Sequence, residues 1–391
     1  MLSLIQTNTL DAEPRCGPDR VMPDQIFIVA DDLTGACDSA VAFAASGRPV
    51  RVILDVSSFE SSQFRQADGQ RAAWAFTTES RCLPLEQARE RVSSRIATLR
   101  PTLPRSILFQ KVDSAGRGHF GIEISTALRS SVAALALVAP AFPEAGRTVQ
   151  FGNLNVRDWS GQDTAISLRD LFPHDDAALV DLLPACSTKQ LRLSIERALG
   201  NGTRILLCDA IVQEDLERLV EAALYLQQIL LWAGSAGLAH ALAGKLPEIH
   251  PPTVLPTPIR AGHALLFAGT LHPITEHQLS RLENSPEAPA RAIHRIDWNA
   301  APQSQVIAAF TAQPVSSLVL TGGETAAFVL RLLGASSILL AGEIARGIPW
   351  GFIEGGLADG RLVVTKSGGF GERDALAHAF EFCERRSRGA A

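Results

Sequence analysis

No apolar run in this chain approaches the length of a membrane span, so a transmembrane anchor is not expected. Excess positive charge is missing too. With 36 Lys and Arg against 41 Asp and Glu, the net charge of -5 lacks the basic footprint of a nucleic-acid partner. Cys16, Cys37, Cys82, Cys186, Cys208 and Cys383 form no C-x-x-C pair and have no His at metal spacing, and are read as reduced thiols of a cytosolic protein. Residues 1–24 are rich in charge and lack the apolar core of a signal peptide; they are read as a poorly ordered extension, with Met22 as an alternative start. There is no G-x-x-x-x-G-K-[ST] sequence, and Gly369-Phe370-Gly371 lacks the third glycine of a dinucleotide fingerprint. A standard P-loop ATPase and a Rossmann dehydrogenase therefore both fail on their own terms.

What is present is a chain of 391 residues, 46% hydrophobic and 20% charged, long enough for two cores. From Gln25 onward, short apolar runs alternate with amphipathic segments, the pattern of βαβ units and a mostly parallel sheet. Strands are expected at 26–30, 50–54, 72–76, 106–110, 135–139, 204–208 and 228–232, and helices at 36–45, 85–99, 188–199 and 215–226, with another starting at Ile122. The pattern weakens over 151–184, which is either a cap over a site or an irregular connection. Pro247, Pro251, Pro252, Pro256 and Pro258 mark a linker. The expected fold class is α/β with two domains, 25–245 and 263–391 joined by 246–262, each a mostly parallel sheet flanked by helices, with the site in the cleft between them. The second half has strand signals at 264–268, 317–320, 338–340 and 362–366.

Chemistry concentrates where these strands end. Asp31 and Asp32 follow the first apolar run, and two adjacent carboxylates there are costly unless they meet a partner or a ligand. Asp32 or Thr34 is expected to cap the next helix. Arg81 follows the third strand. Lys111, Asp113 and Arg117 decorate a glycine-rich turn after the fourth, of a kind that binds anions or pairs its cations with nearby acids. Arg147 follows a loop stiffened by Pro140 and Pro143. The second half supplies nearly uncharged turns at Gly269, at Gly322-Gly323-Glu324-Thr325 and at Gly368-Gly369, suited to phosphates. Acids and cations in one half and glycine turns in the other suit a kinase that closes two hinged domains on a small polyhydroxy acid and a nucleotide. Transfer would need Mg²⁺ on the phosphates, a cation near the transferred group and a carboxylate to take the hydroxyl proton. Asp31 is preferred over Asp32 for that last role, as the strand-terminal side chain.

Read together, Ala30-Asp31-Asp32-Leu33-Thr34-Gly35-Ala36, Thr78-Glu79-Ser80-Arg81, Lys111-Val112-Asp113-Ser114 with Arg117-Gly118, Pro140-Ala141-Phe142-Pro143 with Gly146-Arg147, and Gly234-Ser235-Ala236-Gly237-Leu238-Ala239 resemble the four-carbon acid sugar kinase family. Thr321 to Ala326 and Lys366 to Gly371 are similar to that family's nucleotide-binding half. The resemblance implies ATP-dependent phosphorylation of a terminal hydroxyl on threonate, erythronate or 3-oxo-tetronates. It also implies a nucleotide against Thr270, Gly322 to Thr325 and Gly368, and a substrate against Asp31, Asp32, Arg81, Lys111, Asp113 and Arg147. Gly269-Thr270 stands where relatives usually read Gly-Ser, Gly116 where a bulky apolar residue is common, and 156–173 departs from the usual pattern. A sugar-acid dehydrogenase and a non-catalytic sensor are the alternatives, and a homodimer is allowed for. His119, His272, Trp74, Trp232, Trp298 and Trp350 are read as structural.

Overall fold

Val, Ile, Leu, Phe and Ala fill short segments that are buried along their length, and in the computed structural model these become the strands of an α/β fold. The described residues are 23, 25–54, 71–157, 160–173, 180–224, 226–250, 262–269, 272–284 and 293–388. Thr270, residues 1–22 and most of the proline-rich linker lie outside them.

The first half contributes β1 (Gln25–Ala30), β2 (Val50–Ile53), β3 (Ala72–Thr77), β4 (Ser106–Lys111), β5 (Leu135–Ala139), β6 (Arg147–Gln150), β7 (Asn153–Arg157), β8 (Asp163–Ser167), β9 (Val180–Leu183), β10 (Ile205–Cys208) and β11 (Leu230–Gly234). The second half contributes β12 (His263–Ala268), β13 (Ile293–Arg295), β14 (Val315–Thr321), β15 (Ser337–Ala345), β16 (Ile348–Glu354) and β17 (Leu362–Lys366). Among the described residues, one sheet runs β13-β12-β14-β17-β16-β15-β2-β3-β1-β4-β11-β5-β10-β9. The halves meet edge to edge, Val50–Ile53 pairing antiparallel with residues 337–340.

Parallel register does the positioning. Ala30 is level with both Thr77 and Lys111, so the chain leaves β1, β3 and β4 at one edge. Ala268, Thr321 and Lys366 are level in the same way in the second half. The helix Leu33–Ala40 follows β1 directly and is buried at every position, which its small residues allow. It continues as a tight 3-10 turn and ends at Gly47, whose φ of 78° is the left-handed stop expected of a glycine there.

Two regions differ from the expected pattern. Residues 342–349, beyond the strand expected at 338–340, form the bulged hairpin of β15 and β16, Trp350 pairing with Gly342. The weakly patterned stretch after Phe151 supplies β7 and β8, which with β6 just before it form a small antiparallel sheet, β6-β7-β8. Its outer strand is largely exposed, so no apolar run announced it.

Candidate active site

Asp32 caps the helix Leu33–Ala40: its Oδ1 accepts from the Gly35 amide at 2.7 Å, and Thr34 Oγ1 donates to its Oδ2 at 3.2 Å. Capping does not exhaust the pair of aspartates, because Arg81 grips both. Its Nε and NH2 donate to Asp31 Oδ2 and Oδ1 at 2.6 and 2.8 Å, and its NH1 donates to Asp32 Oδ2 at 2.6 Å. Bidentate, charge-assisted bonds of this kind fix orientation as well as charge. On the far side of the cluster Arg117 forks onto Asp113, with Nε to Oδ2 at 2.9 Å and NH2 to Oδ1 at 2.7 Å. Lys111 lies underneath, buried, donating to the Val112 carbonyl at 2.8 Å.

The loop carrying Arg81 is anchored from behind. Its Thr78 and Ser80 amides donate to the carbonyls of Ala30 and Asp31. Thr78 Oγ1 and Ser80 Oγ share a hydrogen bond of 2.7 Å, and Ser80 Oγ donates to the buried Glu123 at 2.5 Å. Between these two residues Glu79 has a φ of 46°, an uncommon conformation for a residue with a side chain. That turn sends its carboxylate to Arg331 of the second half, whose NH1 donates at 2.6 Å.

Burial and charge set the protonation states. Burial raises Asp31, Arg81 pulls it back and the charge of Asp32 adds to the rise, which leaves its carboxyl above the ordinary value. Burial acts upward on Asp113 as well, but the Arg117 fork, with Arg81 and Lys111, holds it well below the usual carboxylate range. Glu123 is pushed up to about 8 by burial and by the charge of Asp31. His272 is lowered by burial and then by Arg117, Lys366 and Arg147, a sign of positive potential around Gly369.

The second half closes the site with its turns. Gly322, at φ 97°, opens the helix Gly323–Leu332. A Cβ on Gly323 would stand 2.7 Å from Asp32 Oδ2, so the glycine turn and the aspartate are in contact across the two halves. A cavity of about 930 Å³ results, lined by Asp31, Asp32, Arg81 and Arg117 from one side and by Gly322, Gly323, Glu324, Thr325, Gly368 and Gly369 from the other.

The expected residues are thus brought together, with three qualifications of place. Lys111 and Asp113 sit behind the cavity lining; Arg147 lines a separate cavity of about 570 Å³ on the other side of Gly369, its guanidinium over the Phe370 ring. Thr270 falls outside the described residues. Gln303, Phe328 and Arg331 were not expected at the site, Glu79 was noted only as part of the motif before Arg81, and His272 was set aside as structural, yet all five line the main cavity. Phe328 and Arg331 follow the Gly322 turn at helical spacing and were legible in principle. The Glu79–Arg331 pair spans 252 residues and was not.

Two family models match the chain. Residues 26–242 match a family model described as a sugar-binding N-terminal domain, and residues 300–376 one described as a nucleotide-binding C-terminal domain. A D-threonate kinase of Bordetella bronchiseptica is 31% identical over 408 residues, covering 92% of this chain and 98% of its own. A 3-oxo-tetronate kinase of Methylobacterium radiotolerans is 28% identical, covering 90% and 98%. The fold is similar to that of a solved Haemophilus influenzae protein, with a TM-score of 0.63 at 18% identity and coverage of 91% of this chain and all of that one.

Proposed function

The chain belongs to the four-carbon acid sugar kinase family and is a carbohydrate kinase; from that premise we propose that it uses ATP to phosphorylate a terminal hydroxyl of an acid such as threonate, erythronate or a 3-oxo-tetronate. One observation carries the reading: a single cavity has carboxylates and guanidinium groups on one wall and glycine turns at a helix N-terminus on the other. The first wall suits a hydroxy acid, the second a polyphosphate. Ala327, Phe328 and Leu332 add the apolar surface a purine needs.

In this reading Asp32 receives the hydroxyl proton. The oxygens of both aspartates accept hydrogen bonds, but the Asp31 side chain is 4% exposed, whereas that of Asp32 is 16% exposed and touches the Gly323 turn. Asp31 would then hold Arg81 in place. Arg117, whose side chain is 55% exposed, is the cation that would reach the transferred group, at the cost of loosening its fork onto Asp113. Arg147 would touch the acid only if the acid reaches past Gly369.

No group of three or more His, Cys, Asp or Glu residues is placed to hold a metal among the described residues. That fits Mg²⁺ arriving on the nucleotide, since this ion keeps phosphate and water ligands and needs only one or two carboxylates. Glu324, in the first turn of the helix Gly323–Leu332, is the donor in the cavity suited to it. Once bound, the ion would neutralise phosphate charge.

ADP release measured across a panel of four-carbon aldonates and oxo-tetronates tests the proposal. At least one acid should give turnover, and Asp32→Asn should lower kcat at least ~100-fold with little effect on ATP binding. Nucleotide binding with no turnover on any acid would overturn the substrate assignment.

A further inference from the structure

Lys366 ends β17 beneath the Ser367–Gly371 turn, and its side chain is fully buried. No carboxylate lies within ion-pair distance of its ammonium among the described residues. Its Nζ donates instead to neutral oxygens: the carbonyls of Ser367 at 2.9 Å, Phe370 at 3.1 Å and Gly368 at 3.4 Å, and Thr275 Oγ1 at 3.3 Å. Two neighbours on the helix Pro273–Glu283 complete the pattern. Thr275 Oγ1 donates to the Gly368 carbonyl at 2.8 Å, and Gln278 Nε2 donates to the carbonyls of Phe370, Gly371 and Glu372 at 3.2, 3.1 and 2.7 Å.

Buried donors therefore draw inward every carbonyl from Ser367 to Glu372 except that of Gly369. A trans peptide points its N–H opposite to its C=O. With the Ser367 and Gly368 carbonyls turned in, the amides of Gly368 and Gly369 are turned out, and both glycines line the main cavity. Two outward amides on successive residues are the donor pattern of an anion nest. Its underside carries a buried amine, whose charged form the carbonyl dipoles stabilise only in part.

We propose that Lys366 is the positioning residue that shapes this turn for phosphate, and that it takes up a proton as the nucleotide binds. The inference rests on the nucleotide reading of the cleft and deepens it. In the free protein burial lowers Lys366 to about 7, so near neutral pH much of it is uncharged. The groups packed around it offer no counter-charge. His272, at the start of the adjoining helix, adds positive potential when protonated; β14 presents Thr321, and Glu372 presents its carbonyl. Phosphate oxygens on the far side of the turn would supply the missing negative charge and favour the ammonium.

Calorimetric titration of ADP with Mg²⁺ into the intact protein, in two buffers of different ionisation enthalpy, tests this. Near pH 7.5 roughly half a proton or more should be taken up per nucleotide, falling toward zero near pH 6, where Lys366 is already charged. Lys366→Met should remove the uptake and weaken ADP about tenfold or more, leaving the affinity for the sugar acid unchanged. A merely structural lysine would weaken ADP without changing the proton count. Nucleotide binding with the same proton count at both pH values in the unmodified protein would overturn the inference, whether or not the variant folds. Absence of any nucleotide binding would instead overturn the reading of the cleft, and the inference with it.

Discussion

Replacing Arg81 by methionine should expose how the aspartate pair is tolerated. Arg81 makes three charged hydrogen bonds to Asp31 and Asp32, and its side chain is only 19% exposed. Methionine keeps much of the volume and removes all three bonds, leaving two adjacent carboxylates with no guanidinium between them. Taking one partner out of a buried ion pair costs on the order of 3–5 kcal/mol, because the remaining charge stays desolvated. The loss at Asp31 should shrink as pH falls: burial already raises its carboxyl, and without Arg81 it would rise further and accept a proton more readily. Urea unfolding followed by tryptophan fluorescence, at about pH 7.5 and about pH 5.5, reads both effects. Combining Arg81→Met with Asp31→Asn should recover part of the loss at the higher pH. A cost below about 1 kcal/mol for the single variant, or a double variant no more stable than the single, would refute the reasoning.

Glu123→Gln should flatten part of the pH dependence of stability. With its carboxyl raised from 4.5 to about 8, the folded state holds a proton that the unfolded chain has released between those values, so stability falls as pH rises through the window. The variant should gain on the parent by up to ~1.4 kcal/mol per pH unit there, and a difference that does not change with pH would count against the assignment. Gly323→Ala should lower kcat/KM about tenfold or more, because the added methyl meets Asp32 Oδ2 at 2.7 Å; steady-state kinetics with a normal value for a folded variant would remove that contact from the site.

The β1 junction was legible because it obeys local rules. An apolar run followed by Asp31, Asp32, Thr34 and Gly35 specifies a strand, a cap and a helix start within a dozen residues, and the structure has all three. The helix Leu85–Leu99 matches its amphipathic pattern end to end. The β15–β16 hairpin was hidden by Gly342, Gly347 and Pro349, which read as loop residues, whereas in the fold they sit at bulges or in the turn. Capping by Asp32 was foreseen, and its contact with Gly323 was not, since 291 residues of chain separate them and no local signal spans that distance. Nor does any pattern disclose that Lys366 points inward. At the end of a strand a lysine normally reaches water, and only the tertiary fold surrounds this one with carbonyls.

The antiparallel ladder between β2 and β15 has a mechanical consequence. Two lobes tied only by a tether can swing apart like the leaves of a book, but these lobes share a spine of main-chain hydrogen bonds. A wide swing would unzip that spine and leave two raw strand edges in water, each able to seize the matching edge of another molecule. Small changes in sheet twist, or release of the exposed Arg117 from its fork, would admit ligands at lower cost than such a swing. Closure on a ligand in such a molecule would have to work as a leaf spring flexes, with its restoring force built into the fold.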